Sequence, residues 1–254
     1  MLHPDLDPDA LREQFANAEP FGHVVIDQFL DEAWVREVAE TLPSYQQATQ
    51  VGTSFKTVNE DKKVQIEDAE RFPPLVRNLH DFLNGHDFLQ TLEHITGIET
   101  LQSDPKANGG GIHQTGPGGR LDVHVDFNYL PELQAFRRLN LLLYLNPEWR
   151  KDWGGKLELW DPEVQTCHRS VEPLLNRCLI FETNNISYHG VTRVDCPPDH
   201  ARKSYSAYYY TAVPPADFAD DFHGTVFKAR PTEKWKGLIW MPLEKLLRRW
   251  KLKR

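Results

Sequence analysis

Between Gly109 and Pro214 the chain is a succession of short β-type runs separated by turn residues, and this stretch restricts the fold more than any other. Gly111–Gln114 predicts a strand, closed by a turn over Thr115–Gly119. Leu121–Phe127 alternates in polarity, and Arg138–Leu145 is a near-continuous apolar run of strand length. Lys156–Trp160, Cys178–Glu182 and Ser204–Thr211 complete a set at barrel-like spacing. Upstream the pattern changes. Gly22–Phe29 predicts a strand, and Asp31 caps a helix to about Thr41, with Leu42-Pro43 as its stop. Phe72–Thr96 carries apolar residues at helical period, divided by Asn84-Gly85 and closed by Gly97. Helices first and strands afterwards predict an α+β chain.

Composition bounds the rest. The 254 residues suffice for one sizeable core, and 40% hydrophobic with 26% charged residues indicates a globular protein. No run approaches the roughly 18 apolar residues of a membrane span. Met1–Pro20 is polar and acidic and lacks a signal-peptide layout, so the expected location is cytoplasmic. The cysteines Cys167, Cys178 and Cys196 are odd in number without CxxC spacing, which disfavours a disulfide framework or a thiolate zinc site. The net charge of −8 disfavours nucleic acid as a partner. One local exception is Lys245–Arg254, with six cations beside Leu243, Leu246, Leu247 and Trp250. It predicts a basic amphipathic helix. Packing on the body is the favoured role, and contact with an acidic partner or membrane surface is the other.

His124-Val125-Asp126 is the chemical focus. Residues two apart on a strand share a face, so this pair can share one metal. His189, just after the Cys178–Glu182 strand, can supply a third ligand. Two imidazoles and one carboxylate on one face of an octahedron leave three positions open, the donor set of non-haem Fe(II) oxygenases. A bare HxD is common by chance, and eleven histidines make a downstream His cheap. Arg202 and Ser204 share one face of the last long strand and can grip a carboxylate, the alternative being surface charge at a strand start. Asn140, Leu142 and Tyr144 share a face of the strand after the HxD. Tyr144 is equally readable as a core tyrosine.

These motifs come in a recognisable order: HVD at 124–126, RLNLLLYLN at 138–146, GGKLELW at 154–160, YHG at 188–190 and RKS at 202–204. Together with FGHVVIDQFLDEAWVREV near the start, the chain resembles prolyl-4-hydroxylase-like Fe(II)/2-oxoglutarate dioxygenases from about Phe21 to Pro214. The resemblance implies a double-stranded β-helix, or jelly roll, with flanking N-terminal helices. It implies one dioxygenase domain over residues 1–254: a helical part to about 105, a β-helix core over about 106–214 and an extension from about 215. It implies Fe(II) on His124, Asp126 and His189, with 2-oxoglutarate and O2 as cosubstrates and ascorbate as an accessory reductant. Arg202 and Tyr144 would hold the distal carboxylate of 2-oxoglutarate, with Gln114, less securely, as a further polar contact; Ser204 and Asn140 join them as candidates from the strand faces they share with Arg202 and Tyr144. The His189–Arg202 gap is longer than usual for the family, which makes Lys203 the competing anchor. Arg120, Asn128, Tyr129 and Trp160 flank the ligands as candidates for substrate contact. The implied reaction is hydroxylation of an unactivated C–H in a protein residue, an amino acid or a small metabolite. Competing readings are a catalytically silent jelly-roll binding module and a zinc hydrolase on the same ligands, in which Arg202 would have no task.

Overall fold

A computed structural model describes residues 1–216, 218, 221–233 and 235–242. The basic stretch Lys245–Arg254 lies outside the described residues. The described residues form five α-helices: α1 (Pro8–Ala16), α2 (Glu32–Thr41), α3 (Tyr45–Val51), α4 (Pro74–Leu83) and α5 (His86–Thr96). The first strands are β1 (His23–Ile26), β2 (Thr53–Lys56), β3 (Glu60–Ile66), β4 (Gln102–Ser103), β5 (Gly111–Val125), β6 (Tyr129–Leu130) and β7 (Ala135–Tyr144). They are followed by β8 (Leu157–Trp160), β9 (Cys167–Val171), β10 (Cys178–Glu182), β11 (His189–Val191), β12 (Arg202–Thr211) and β13 (Val226–Phe227).

Asp31 caps α2 through a bond from Trp34 N at 2.8 Å, and Gly97 ends α5 at φ +70°. Asn84-Gly85 separates α4 from α5. The helices α1 and α3 are shorter and were not legible from apolar period. Asp7 caps α1, and Ser44 with Gln47 forms a capping box on α3. The N-terminal part is also less helical than its sequence suggests. The β2–β3 hairpin lies within it, and β3 pairs along β5.

The main strand path is antiparallel and runs β1-β10-β7-β12-β5-β11-β8-β9. It is one sheet that curls into a nearly closed jelly roll, with long β5 pairing different strands along its length. Its first part pairs β12, and its end pairs β11. The expected turn at Thr115–Gly119 is instead a bulge within β5, where Arg120 and Thr115 oppose Asp61 and Lys63 of β3. Glycine is required there: a Cβ on Gly116 would meet the Tyr45 ring at 2.6 Å, and one on Gly119 would meet Asp61 O at 2.7 Å.

Alternation sorts the rest. Leu139, Leu141 and Leu143 of β7, with Tyr205 and Tyr209 of β12, face outward into the main core beneath the helices. The intervening residues of both strands face the barrel interior. Among the described residues beyond 214, β13 returns to pair with Val125 and His124 of β5.

Candidate active site

The site forms where β5, β7, β11 and β12 turn their inward faces on one cavity. His124 and His189 are direct cross-strand partners, with ring centroids 4.3 Å apart. Asp126 follows β5 by one residue. Its Oδ1 lies 3.4 Å from His124 Nε2, and its Oδ2 lies 3.5 Å from His189 Nε2. The three residues offer ligand atoms within 4.8 Å of one another. Each imidazole is oriented by its own backbone. His124 Nδ1 donates to Asp122 O at 2.8 Å, and His189 Nδ1 donates to Ser187 O at 2.9 Å. That tautomer leaves both Nε2 lone pairs facing the gap, as a metal site needs.

The electrostatics agree with this donor set. Burial lowers His189 to about 3, with His124 reinforcing the shift, so its imidazole is neutral. Burial alone would raise the Asp126 carboxyl, but Arg137 with both histidines outweighs it and holds the group well below the usual carboxylate range. A neutral His189 imidazole and an ionised Asp126 are protonation states that bind a divalent ion.

Behind the triad the cavity continues between Arg202, Ser204, Ser206 and Tyr208 of β12 and Asn140 and Leu142 of β7. Ser204 pairs with both His113 of β5 and Tyr144 of β7. Arg202 is 3% exposed, donates Nε to Gly155 O at 2.7 Å and holds its guanidinium 5.0 Å over the Tyr144 ring. Its Nη2, the Tyr144 hydroxyl and the Ser204 hydroxyl are buried without a hydrogen-bond partner among the described residues. Burial pushes the Tyr144 phenol up despite Arg202, so it stays a donor. Unpaired buried donors cost about 1–3 kcal/mol each. An open guanidinium Nη2 with two hydroxyls on paired strands is the complement of a carboxylate. The donor set therefore fits both a divalent iron at the triad and a dicarboxylate behind it.

Other expected residues sit elsewhere. Gln114 is turned away from the cavity, a correction that follows from strand alternation: its Nε2 donates to Pro43 O at 2.7 Å, and its neighbours His113 and Thr115 face in. Asn140 lines the cavity, but its Nδ2 donates to Asp126 Oδ2 at 2.8 Å, so it holds the carboxylate ligand. The four flanking candidates are engaged structurally. Arg120 lies 3.6 Å from Asp122 and donates to Val58 O. Asn128 ties the 221–223 segment, and Tyr129 packs on Phe136 and Phe222. Trp160 is buried against Val123, Val125 and Tyr188.

Two residues near the site were missed. Arg137 is 2% exposed and reaches Asp126 Oδ2 at 3.0 Å. His113, against Gln65 and Ser206, lines the cavity and is lowered to about 3 by burial and then Lys63. A charge beside an apolar strand was the signal for Arg137, but Arg138 next to it gave the same signal.

Residues 110–210 match the family described as the 2OG-Fe(II) oxygenase superfamily. Prolyl 3-hydroxylase OGFOD1 of Xenopus laevis is 30% identical over 183 residues, covering 69% of this chain and 32% of that protein. The Mus musculus protein of the same name is 33% identical over 78 residues, covering 29% and 14%. The chain thus spans about a third or less of the length of these curated relatives. Among solved structures, a Pseudomonas putida prolyl-4-hydroxylase shares the fold with a TM-score of 0.58 at 16% identity, over 81% of this chain and 99% of that one. A prolyl hydroxylase from Trichoplax adhaerens, in complex with a hypoxia inducible factor peptide fragment, gives 0.57 at 18% identity over 80% and 90%. With the jelly roll and the His-Asp-His constellation already in place, residues 110–210 are identified as a 2OG-Fe(II) oxygenase domain, on a fold shared with the prolyl-4-hydroxylase structures.

Proposed function

We propose that this protein is an Fe(II)- and 2-oxoglutarate-dependent dioxygenase that hydroxylates an unactivated C–H bond. The observation that carries this reading is the pairing of the triad with Arg202 and Ser204 in one cavity, Arg202 lying over the Tyr144 ring and all three keeping polar atoms without a partner among the described residues. A zinc hydrolase or a silent binding module gives no reason to bury an Arg with a free Nη2 behind the ligands.

His124 and His189 would hold the metal through Nε2, and Asp126 would hold it through one carboxylate oxygen. Arg202 would take the distal carboxylate of 2-oxoglutarate, with the Tyr144 and Ser204 hydroxyls completing its hydrogen bonds. Bound there, Fe(II) with 2-oxoglutarate and O2 supplies the oxidising power that inserts hydroxyl into a C–H bond, with succinate and CO2 as coproducts. The protein contributes geometry. His124 is packed against Phe227 at 5.3 Å and His189 against Phe181 at 4.7 Å between centroids, which fixes both rings and keeps water from them. The curated relatives are prolyl 3-hydroxylases, which favours a prolyl or other protein residue over a free metabolite. Free, buried Cys178 and Cys196 accord with a reducing, cytoplasmic setting. The basic 245–254 stretch keeps its two readings from sequence, body packing and contact with an acidic partner or membrane surface.

Anaerobic addition of Fe(II) and 2-oxoglutarate should give the weak visible metal-to-ligand charge-transfer band of the chelate. A folded protein that shows no such band would refute the reading.

A further inference from the structure

Arg137 is the residue whose position is hardest to explain by folding alone. A full cation close to a divalent metal repels it, and arginines are rarely buried. Yet this one is 2% exposed and held on every side. Its Nε and Nη2 donate to Asn140 Oδ1 at 2.9 and 2.7 Å, and Nη2 lies 3.0 Å from Asp126 Oδ2. The guanidinium carbon sits 3.5 Å from the Tyr208 ring centroid and 4.6 Å from that of Phe127. Asn140 closes the circuit, donating Nδ2 to the same Asp126 Oδ2 at 2.8 Å and accepting from Thr183 Oγ1 at 3.2 Å.

Asp126 Oδ2 therefore has two donors from Asn140 and Arg137 as well as His189 Nε2 at 3.5 Å, whereas Oδ1 faces His124 Nε2 at 3.4 Å. We infer that Arg137 is a positioning residue for the metal: with Asn140 it locks the Asp126 carboxylate so that Oδ1 alone is offered as a ligand. The inference rests on the iron reading of the triad. A carboxylate free to swing would chelate through both oxygens and occupy a second position. A carboxylate held by Oδ2 binds through one, leaving three positions for a bidentate keto-acid and O2. The two aromatic rings explain why the cation is an arginine. A planar guanidinium can lie between them and still present its fork in-plane, whereas an ammonium cannot.

Electrostatics alone predicts the opposite result on removal of Arg137, since losing a nearby cation should tighten metal binding. The experiment is a Co(II) titration of the metal-free protein, read by visible d–d absorption, for wild type, Arg137→Met and Arg137→Lys. Arg137→Met should weaken Co(II) by about 10–100-fold, the range for removing a group that orients a metal ligand, and should change the d–d envelope. Arg137→Lys should recover part of the affinity. Tyr208→Leu, which loosens the guanidinium without removing it, should weaken binding in the same direction by less, and it decides the matter should Arg137→Met not fold. Folded Arg137→Met, or in its place Tyr208→Leu, binding Co(II) as tightly as wild type or more tightly would overturn the role. Failure of wild type itself to bind Co(II) would instead overturn the metal reading on which it rests.

Discussion

Arg202 and Lys203 are neighbouring cations at the start of β12 with opposite surroundings. Arg202 is buried over Tyr144 with a free Nη2, among the described residues, inside the cavity. Lys203 pairs with Gln114, on the face turned away from the cavity, and its backbone N–H donates to Asn146 Oδ1 at 2.7 Å. The longer spacing after His189 is absorbed before β12 begins and does not shift the inward residue by one. Arg202→Ala should raise the KM for 2-oxoglutarate roughly 10- to 150-fold, from the 1.5–3 kcal/mol typical of a hydrogen bond to a charged group. Lys203→Ala should leave that KM within about twofold, as expected of a substitution off the site. Steady-state kinetics with 2-oxoglutarate varied decides between them, and the reverse pattern would move the anchor to Lys203.

At the scale of elements, the inward-facing set follows from strand period wherever the ladder is regular and departs from it at bulges. The inward faces of Ser204 and Tyr144 were legible because β12 and β7 pair in simple register there, and Arg202 shares the Ser204 face where β12 pairs regularly with β5. Arg137 was not. Strict alternation puts residues 137 and 140 on opposite faces, but the β7–β12 ladder slips by one residue between Tyr209 and Tyr210, bringing both to the same carboxylate. The same device acts on β5, where His124 and Leu121 pair with His189 and Val191, so both line the cavity. Sequence periodicity cannot see an extra residue in a strand; Gln114, expected from the resemblance alone, faces away by plain alternation, with His113 and Thr115 facing in. The turn before β8 is legible and carries a test. Gly154 has φ +62°, and a Cβ there would meet Arg193 O at 2.3 Å. Its neighbour Gly155 supplies the carbonyl that holds Arg202 Nε. Gly154→Ala should cost about 1–3 kcal/mol, the strain of a non-glycine residue held at positive φ. The melting temperature should then fall by about 2–4 °C per kcal/mol for a chain of this size. An unchanged melt would show that the turn relaxes freely.

Over the whole molecule, the buried histidines tie stability to pH. Burial lowers His113 and His189 from 6.5 to about 3, and it also lowers His23 and His80. Between pH 6.5 and 3 the unfolded chain takes up protons that the folded protein refuses. The stability these groups contribute is thus fully present above about 6.5 and is lost progressively as pH falls towards 3. Asp126, depressed once Arg137 and the histidines outweigh its burial, adds loss in the same direction below the ordinary carboxylate range. Asp122, raised chiefly by burial, has the opposite sign, and its effect falls above the ordinary carboxylate value. The first effect on acidification therefore belongs to the histidines. In metal-free protein the urea midpoint should hold between pH 8 and 7 and fall from about pH 6.5 to 5, before most carboxylates titrate. His113→Gln keeps a donor for the Gly109 and Gly110 carbonyls that His113 Nε2 faces at 3.1 and 3.2 Å, but carries no titrating group. It should flatten that fall measurably without abolishing it, because His189 remains. Parallel pH curves for wild type and His113→Gln would mean that His113 can be protonated in place, with Ser206 and the cavity accommodating the charge.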